Sequence, residues 1–481
     1  MADTRVNTDQ DVDSQGEPAL RRVMGPGLLL LFIVGDILGT GVYALTGQVA
    51  AEVGGAAWIP FLVAFIVATI TAFSYLELVT KYPQAAGAAL YTHKAFGIHF
   101  ITFIVAFVVM SSGITSASTA SRAFASNLAL GFGLDVSTSG IVLIALAFML
   151  LVALVNFRGV GESVKTNVVL TMVELSGLLL VILVGIWAIF GAEADFSRVV
   201  AFDTPDDKNI FLAVTTATSL AFFAMVGFED SVNMAEECKE PRRIFPRIML
   251  TGLTITGIIY VLISIAAVAL VPVGVLADSD TPLVEVVKAG APDLPISDIL
   301  PFISMFAVAN SALINMLMAS RLLYGMAKQR VLPPVLGKVH PDRRTPWVAI
   351  IFTTVLSFCL IIYVSSANPD AVAVLGGTTA LLLLAVFSVV NVAVLVLRKD
   401  PPPEGAFRAP TILPMLGAFF CLYLVTPLSG RPQAQYLVAG ALVLLGIVLW
   451  AITVVINKRL GVVPTQVLDP KDVGGRTGPV N

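Results

Sequence analysis

Apolar residues in this chain come in long blocks separated by short polar stretches. The blocks cover residues 27–51, 56–80, 96–121, 140–156, 166–190, 210–235, 248–271, 299–326, 347–364, 372–397, 412–428 and 436–456. A helix needs about 20 apolar residues to cross a hydrocarbon core of about 30 Å, so the pattern predicts twelve membrane-spanning helices. The 140–156 and 412–428 blocks are the shortest. Two blocks are interrupted. The first carries Gly35-Asp36-Ile37-Leu38-Gly39-Thr40-Gly41 in its middle, and the sixth carries Phe222-Phe223-Ala224-Met225-Val226-Gly227-Phe228-Glu229-Asp230. Each glycine inside a helix costs about 1 kcal/mol relative to alanine. At membrane depth, freed backbone groups are tolerated only where they are buried in protein or line a cavity. Both stretches therefore read as helix breaks that build a site from backbone.

Interruptions at corresponding places, five helices apart, predict an inverted-repeat transporter with its site near the midplane. The expected organisation is a tail over 1–24, a first five-helix repeat over 25–200 and a second, inverted repeat over 201–400. Two further helices follow over 401–459, then a tail over 460–481. The outer loops 192–209 and 272–298 are acidic and long enough for short surface helices.

Composition agrees with this reading. The chain has 481 residues, of which 57% are hydrophobic and 13% charged, and its mean hydropathy is +0.91. That is too apolar for a soluble globular protein, so the fold class is an all-α polytopic membrane protein. If the amino terminus is cytoplasmic, 24 of the 29 Lys and Arg residues fall on the cytoplasmic side, with Arg122, Arg198, Lys208, Lys288 and Arg431 outside. This obeys the positive-inside rule and places both termini in the cytoplasm of a cell bounded by an inner (plasma) membrane. The first 24 residues lack an apolar signal-peptide core, so the first helix is expected to direct insertion. The three cysteines and three histidines are scattered without ligand spacing, so no metal site, cofactor or disulfide framework is expected, nor is a nucleic-acid partner.

Four acids lie deep in the predicted helices: Asp36, Glu174, Glu229 and Asp230. A central charge costs about 2.5–3.5 kcal/mol on insertion scales. Each acid thus needs a cation, a proton or a hydrogen-bond donor. Asp36 suits either a half-helix cap or a ligand contact, and Glu229 suits a first-turn acid at a helix start as well as a site residue. Asp230 reads as structural. Glu174 has no break of its own to cap, which marks it as the candidate proton-coupling residue. Glu77, Glu236, Glu237 and Arg321 fall near the cytoplasmic interface, where snorkelling and loop contacts suffice.

The outer half of the first helix starts near Gly39, so the N–H groups of Thr40 and Gly41 can hold a carboxylate. Carbonyls near Ile37, Phe223 and Val226 can accept from an ammonium. An α-amino acid carries both groups. Phe222, Phe223 and Phe228 either close over such a ligand or simply pack.

At these residues the chain resembles the amino acid–polyamine–organocation (APC) permeases, which share the five-plus-five inverted repeat of the bacterial leucine transporter. The resemblance rests on Gly35 to Tyr43, on Tyr75-Leu76-Glu77-Leu78 with Tyr82-Pro83, Gly87 and Tyr91, and on Gly227-Phe228-Glu229 with Glu236-Glu237, Pro241 and Pro246. It implies that Thr40 and Gly41 bind the substrate carboxylate, that the Ile37 and Val226 carbonyls take the amine, and that Phe223 is the gating aromatic. Relatives often carry a Lys in the fifth helix, whereas here Lys165-Thr166-Asn167 leads to Glu174. Relatives specific for cationic amino acids often have an acid in the third helix, and 96–121 has none, which leaves Asp36 to meet a second amino group.

The expected function is secondary active amino acid transport by alternating access, coupled to protons through Glu174. The substrate site is Asp36, Ile37, Gly39, Thr40, Gly41, Phe222, Phe223, Val226, Gly227 and Glu229. The alternative is a sodium-coupled or exchange transporter of cationic amino acids or polyamines, with Asn310, Ser311 and Asn315 of the eighth helix as ion ligands. A polytopic membrane enzyme has no catalytic grouping to support it.

Overall fold

The computed structural model describes residues 24–83, 87–159, 164–190, 194–205, 208–368 and 370–461. The fold is helical, and among the described residues only two isolated β-bridges occur, Met24 with Cys238 and Gly54 with Phe202. The helices are α1 (Pro26–Val53), α2 (Trp58–Lys81), α3 (Gly87–Phe96), α4 (His99–Gly131), α5 (Thr138–Arg158), α6 (Val164–Phe190), α7 (Ile210–Ala221) and α8 (Pro241–Leu270). Then follow α9 (Val273–Asp278), α10 (Pro282–Gly290), α11 (Ile296–Lys328), α12 (Trp347–Ala367), α13 (Ala371–Leu397), α14 (Ile412–Val425) and α15 (Gln433–Leu460).

Among the described residues, eleven segments are long and apolar enough to cross a membrane. The twelfth expected span is α14, whose 14 residues reach about 21 Å at about 1.5 Å per residue, with a 3-10 turn at Pro427–Ser429 beyond them. Lipid-facing surfaces are visible as exposed aliphatic and aromatic side chains such as Leu143, Leu183, Trp187, Phe419 and Leu444. A multi-pass membrane protein is what these surfaces require.

Local chemistry sets several ends. Pro26 and Pro241 occupy first-turn positions of α1 and α8, where a missing N–H costs nothing. Ser137 and Asn209 cap α5 and α7 by accepting the Gly140 and Leu212 N–H groups. Gly159 closes α5 with φ of 76°. Between helices, small polar residues act as glue. Thr115 of α4 meets Thr379 of α13 at 2.7 Å, Ser118 meets Ser357 of α12 at 2.8 Å, and Ser74 of α2 donates to Asn391 of α13 at 2.6 Å.

Three placements differ from the sequence pattern. The third span runs to Gly131, ten residues past the expected end, so Arg122 is not a loop charge but a helix residue 5% exposed. The serine- and threonine-rich stretch there lowers hydropathy without ending the helix. The loop helix α10 is mostly buried rather than lying on the surface, with Leu283, Val284, Val286 and Val287 turned inward. Glu77 does not snorkel. It is 7% exposed and holds Arg398 by two bonds of 2.9 and 2.7 Å while accepting the Ala409 N–H. This bidentate pair ties α2 to the C-terminal end of α13.

Candidate functional site

The break in α1 is one residue wide. Gly39 has φ of 23° and ψ of −151°, outside the helical region, and the helix resumes at once. An L-residue is strained at that φ, so glycine is the residue that permits the flip. The carbonyls of Ile37 and Leu38, which the flip would leave without donors, both accept from the Tyr260 hydroxyl of α8, at 2.6 and 2.9 Å. Tyr260 is fully buried. The Ile37 carbonyl expected to be free is therefore already engaged, leaving one lone pair for a ligand.

The break after α7 is longer. Phe222–Met225 forms a 3-10 turn, Val226 is extended with ψ of 142°, Gly227 has φ of 127°, and the chain continues as the 3-10 segment Asp230–Glu237. Glu229 folds back, and its Oε2 accepts the Gly227 N–H at 2.9 Å. The Phe223 carbonyl, also expected to be free, accepts from Val226 at 3.3 Å. This break satisfies its backbone with its own residues, whereas α1 relies on α8.

The two breaks touch. A Cβ on Gly41 would collide with the Ala224 backbone, and one on Gly227 would stand 2.7 Å from the Asp36 carbonyl carbon and oxygen. A Cβ on Gly39 would lie 3.0 Å from Ser311 Oγ of α11. Asp36 is half-buried beside Gly227. Thr40 is 3% exposed and its hydroxyl has no hydrogen-bond partner among the described residues.

Glu174 of α6 is 0% exposed, and neither carboxylate oxygen has a partner among the described residues. The Tyr43 hydroxyl donates to its main-chain carbonyl at 3.0 Å. One turn earlier, Thr171 sits against Gly35, where a Cβ would overlap its hydroxyl. The Tyr43 and Tyr260 side chains lie close enough to the carboxylate to feel its charge. Glu174 thus stands beside the α1 break and the tyrosine that holds it. The side chains of Lys165, Thr166, Asn167, Glu236 and Glu237 lie outside the described residues.

Residues 28–453 match the family pattern described as amino acid permease. The chain belongs to the amino acid permease family. It is 26% identical over 445 residues to the branched-chain amino acid permease of Bacillus subtilis (strain 168), covering 88% of this chain and 92% of that protein. It is 26% identical over 455 residues to the methylthioribose transporter of the same organism, covering 87% and 91%. A chloroplastic cationic amino acid transporter of Arabidopsis thaliana is 29% identical over 347 residues, covering 68% of this chain and 59% of that one. Among solved structures, a mutant manganese transporter of Eremococcus coleocola superposes with a TM-score of 0.58 at 13% identity, covering 90% of this chain and 94% of that one. That likeness is one of fold. The permease has the leucine-transporter-like arrangement of helices, with broken first and sixth spans, and it is an amino acid transporter.

Three cavities follow one another on the α4, α11 and α13 side of the second break, all lined by Met318 and Leu322. The first, about 30 Å³, meets Ser112, Ser116, Glu229, Asp230, Asn315 and Thr379. The second, about 50 Å³, shares Glu229 and Asp230 and reaches Tyr75 and Asn233. The third, about 420 Å³, is lined by His99, Asn233, Arg321 and Gln329 beside apolar residues. The permease therefore has a small chamber at the break that carries two carboxylates and a wide vestibule on the side where Arg321 lies.

Asp36 lines none of these three cavities. The aromatics divide as well. Phe222 and Phe228 belong to a packed cluster with Phe387 and Tyr75, with ring centroids 5.4–6.0 Å apart. Phe223 instead faces α13, where a Cβ on Gly376 would be 3.4 Å from its ring. Sequence reasoning missed Tyr260, although a lone tyrosine in the seventh apolar block was a signal that a hydroxyl was needed there.

Proposed function

We propose that this permease is a proton-coupled secondary active transporter that binds its amino acid at the two breaks. The observation that carries the reading is Glu174: a carboxylate with no exposure and, among the described residues, no donor for either oxygen. A bare anion in that position is far more costly than the protonated acid. Proton loading from one side and release to the other would change the charge next to the Gly39 flip. That would bias the halves of α1 and the adjoining α11 between two arrangements. In this reading Thr40 and Gly41 take the substrate carboxylate. The second lone pair of Ile37 and the Val226 carbonyl take its ammonium, and Phe223 closes the outer side. The substrate leaves unchanged by any chemical step. The halves over 25–200 and 201–400 act as the inverted repeats, in a cell inner membrane with both termini cytoplasmic, as the distribution of Lys and Arg favours.

The test is uptake of labelled L-leucine and L-arginine into proteoliposomes with an imposed pH gradient. Wild type should concentrate substrate with the gradient, and Glu174→Gln should equilibrate it only. Full concentrative uptake by Glu174→Gln would overturn the assignment, and loss of wild-type uptake when choline replaces sodium at fixed pH would assign the coupling to sodium.

A second reading concerns the substrate. Glu229 and Asp230 both line the chamber at the break, which favours a cationic side chain, and relatives include cationic amino acid transporters. Asp36→Asn should leave neutral-substrate transport near normal and abolish binding of a diamine if Asp36 meets a second amino group. Retained diamine binding would shift that role to Glu229 and Asp230.

A further inference from the structure

A separate cavity of about 210 Å³ lies beyond the breaks on the other side, between the outer part of α1, α7, the start of α13 and the turn before α15. Its wall includes Arg431, a residue that the charge pattern places in a simple outer loop. Arg431 is 6% exposed. Its Nε donates to the Leu424 carbonyl at 2.7 Å, its Nη1 to the Gly377 carbonyl at 2.9 Å and Gln435 Oε1 at 2.8 Å, and its Nη2 to the Ser219 carbonyl at 3.1 Å. Every one of these acceptors is neutral. A guanidinium has five N–H groups, so one on Nη2 remains. The charge of this buried cation is not matched by any carboxylate among the described residues, and a buried charge without a counter-ion is costly.

Two more donors converge there. Ser219 lines the cavity, is 1% exposed, and its hydroxyl has no partner among the described residues. Gln435 also lines the cavity, is 3% exposed and spends its oxygen on Arg431, which leaves its amide N–H groups as the donors it can offer. Two carboxylates, Asp370 and Glu52, line the same cavity, the latter held by Lys208 at 2.6 Å. The cavity thus carries donors with a positive charge and acceptors with negative charge in one lining. At about 210 Å³ it has room for a small organic ion.

We propose that this outer cavity is a second binding site for an α-amino acid, separate from the site at the breaks. Arg431 Nη2, Ser219 and Gln435 hold its carboxylate, and Asp370 with Glu52 accepts from its ammonium. A ligand there bridges α7, α13 and the turn before α15, so it serves as the station a substrate occupies before the outer half of the sixth span moves. The site rests on the permease being an amino acid transporter and not on proton coupling at Glu174, so Glu174→Gln leaves it intact.

The experiment is equilibrium dialysis of purified, detergent-solubilised full-length protein against labelled L-leucine and, separately, L-arginine. The expected result is more than one equivalent bound per chain for at least one of them. A hydrogen bond to a charged group is worth about 1.5–3 kcal/mol, so Ser219→Ala and Asp370→Asn should each weaken the second equivalent by roughly tenfold or more while the first is unchanged. Arg431→Lys, which keeps the charge but loses the fork, should do the same; its monodispersity on size exclusion reports whether it folds, and the other two variants carry the test if it does not. One equivalent or fewer from wild type with both probes overturns the proposal. So does a second equivalent that neither Ser219→Ala nor Asp370→Asn weakens. If acetate displaces the second equivalent as well as the amino acid does, the cavity is an anion site and the zwitterion assignment fails.

Discussion

The two broken helices solve the same problem in opposite ways. At α1 the backbone flips at one glycine, and the two freed carbonyls are held by Tyr260 of another helix, α8. After α7 the backbone unwinds over several residues and is held from within, by Glu229 on the Gly227 N–H. The first break borrows its donor from another helix, so its geometry is linked to the position of α8. The second carries its own acceptor, so it can hold its shape while neighbours move. A site that must be rigid enough to recognise a ligand and loose enough to let it through gains from one break of each kind.

The largest expected effect separates the two glycines. Gly227→Ala puts a Cβ 2.7 Å from the Asp36 backbone at φ of 127°, where backbone cannot give way easily. It should abolish transport and most of the monodisperse protein on size exclusion. Normal yield and uptake would show that the breaks do not interlock as described.

Next comes Tyr260→Phe, which leaves two buried carbonyls without their donor at a cost of about 1–3 kcal/mol. Thermal unfolding should shift down by several degrees, with transport reduced and substrate affinity changed. An unchanged melting temperature would mean that water or another donor replaces the hydroxyl. Glu229→Gln should cost less, because the amide oxygen can still accept the Gly227 N–H. A stability loss as large as that of Tyr260→Phe would erase the contrast between borrowed and self-supplied partners. The smallest structural effect is expected at Gly39→Ala, where the new Cβ stands 3.0 Å from Ser311 Oγ, a side-chain end that can rotate. The strained φ of 23° remains, so a modest loss in uptake is expected with expression retained, and outright misfolding would place the constraint in packing instead.

Much of this architecture was legible in the sequence because lipid imposes a simple rule: blocks of apolar residues become helices, and glycine with acid in the middle of a block becomes a break. Gly39 and Gly227 were readable for that reason. What the pattern did not carry was partnership across the chain. Nothing near Ile37 announces that a tyrosine more than 200 residues later takes its carbonyl. Glu77 looks interfacial until Arg398, in another helix, closes on it. Arg122 and Arg431 look like loop charges because hydropathy falls around them, yet both are buried. Charged residues at helix ends are ambiguous in sequence, since the same composition serves a solvated loop and a packed one. Glu174 was visible as an acid in a bland helix; that both its oxygens lack a donor among the described residues shows only in the folded chain.

Proton coupling is proposed to run through that carboxylate, and the direct test is proton movement. Proteoliposomes loaded with a pH-sensitive dye, without an imposed gradient, should acidify inside when L-leucine or L-arginine is added to wild type. With Glu174→Gln the same addition should give no acidification while labelled substrate still exchanges across the membrane. Substrate-driven acidification by Glu174→Gln at the wild-type rate would contradict the assignment of proton coupling to Glu174.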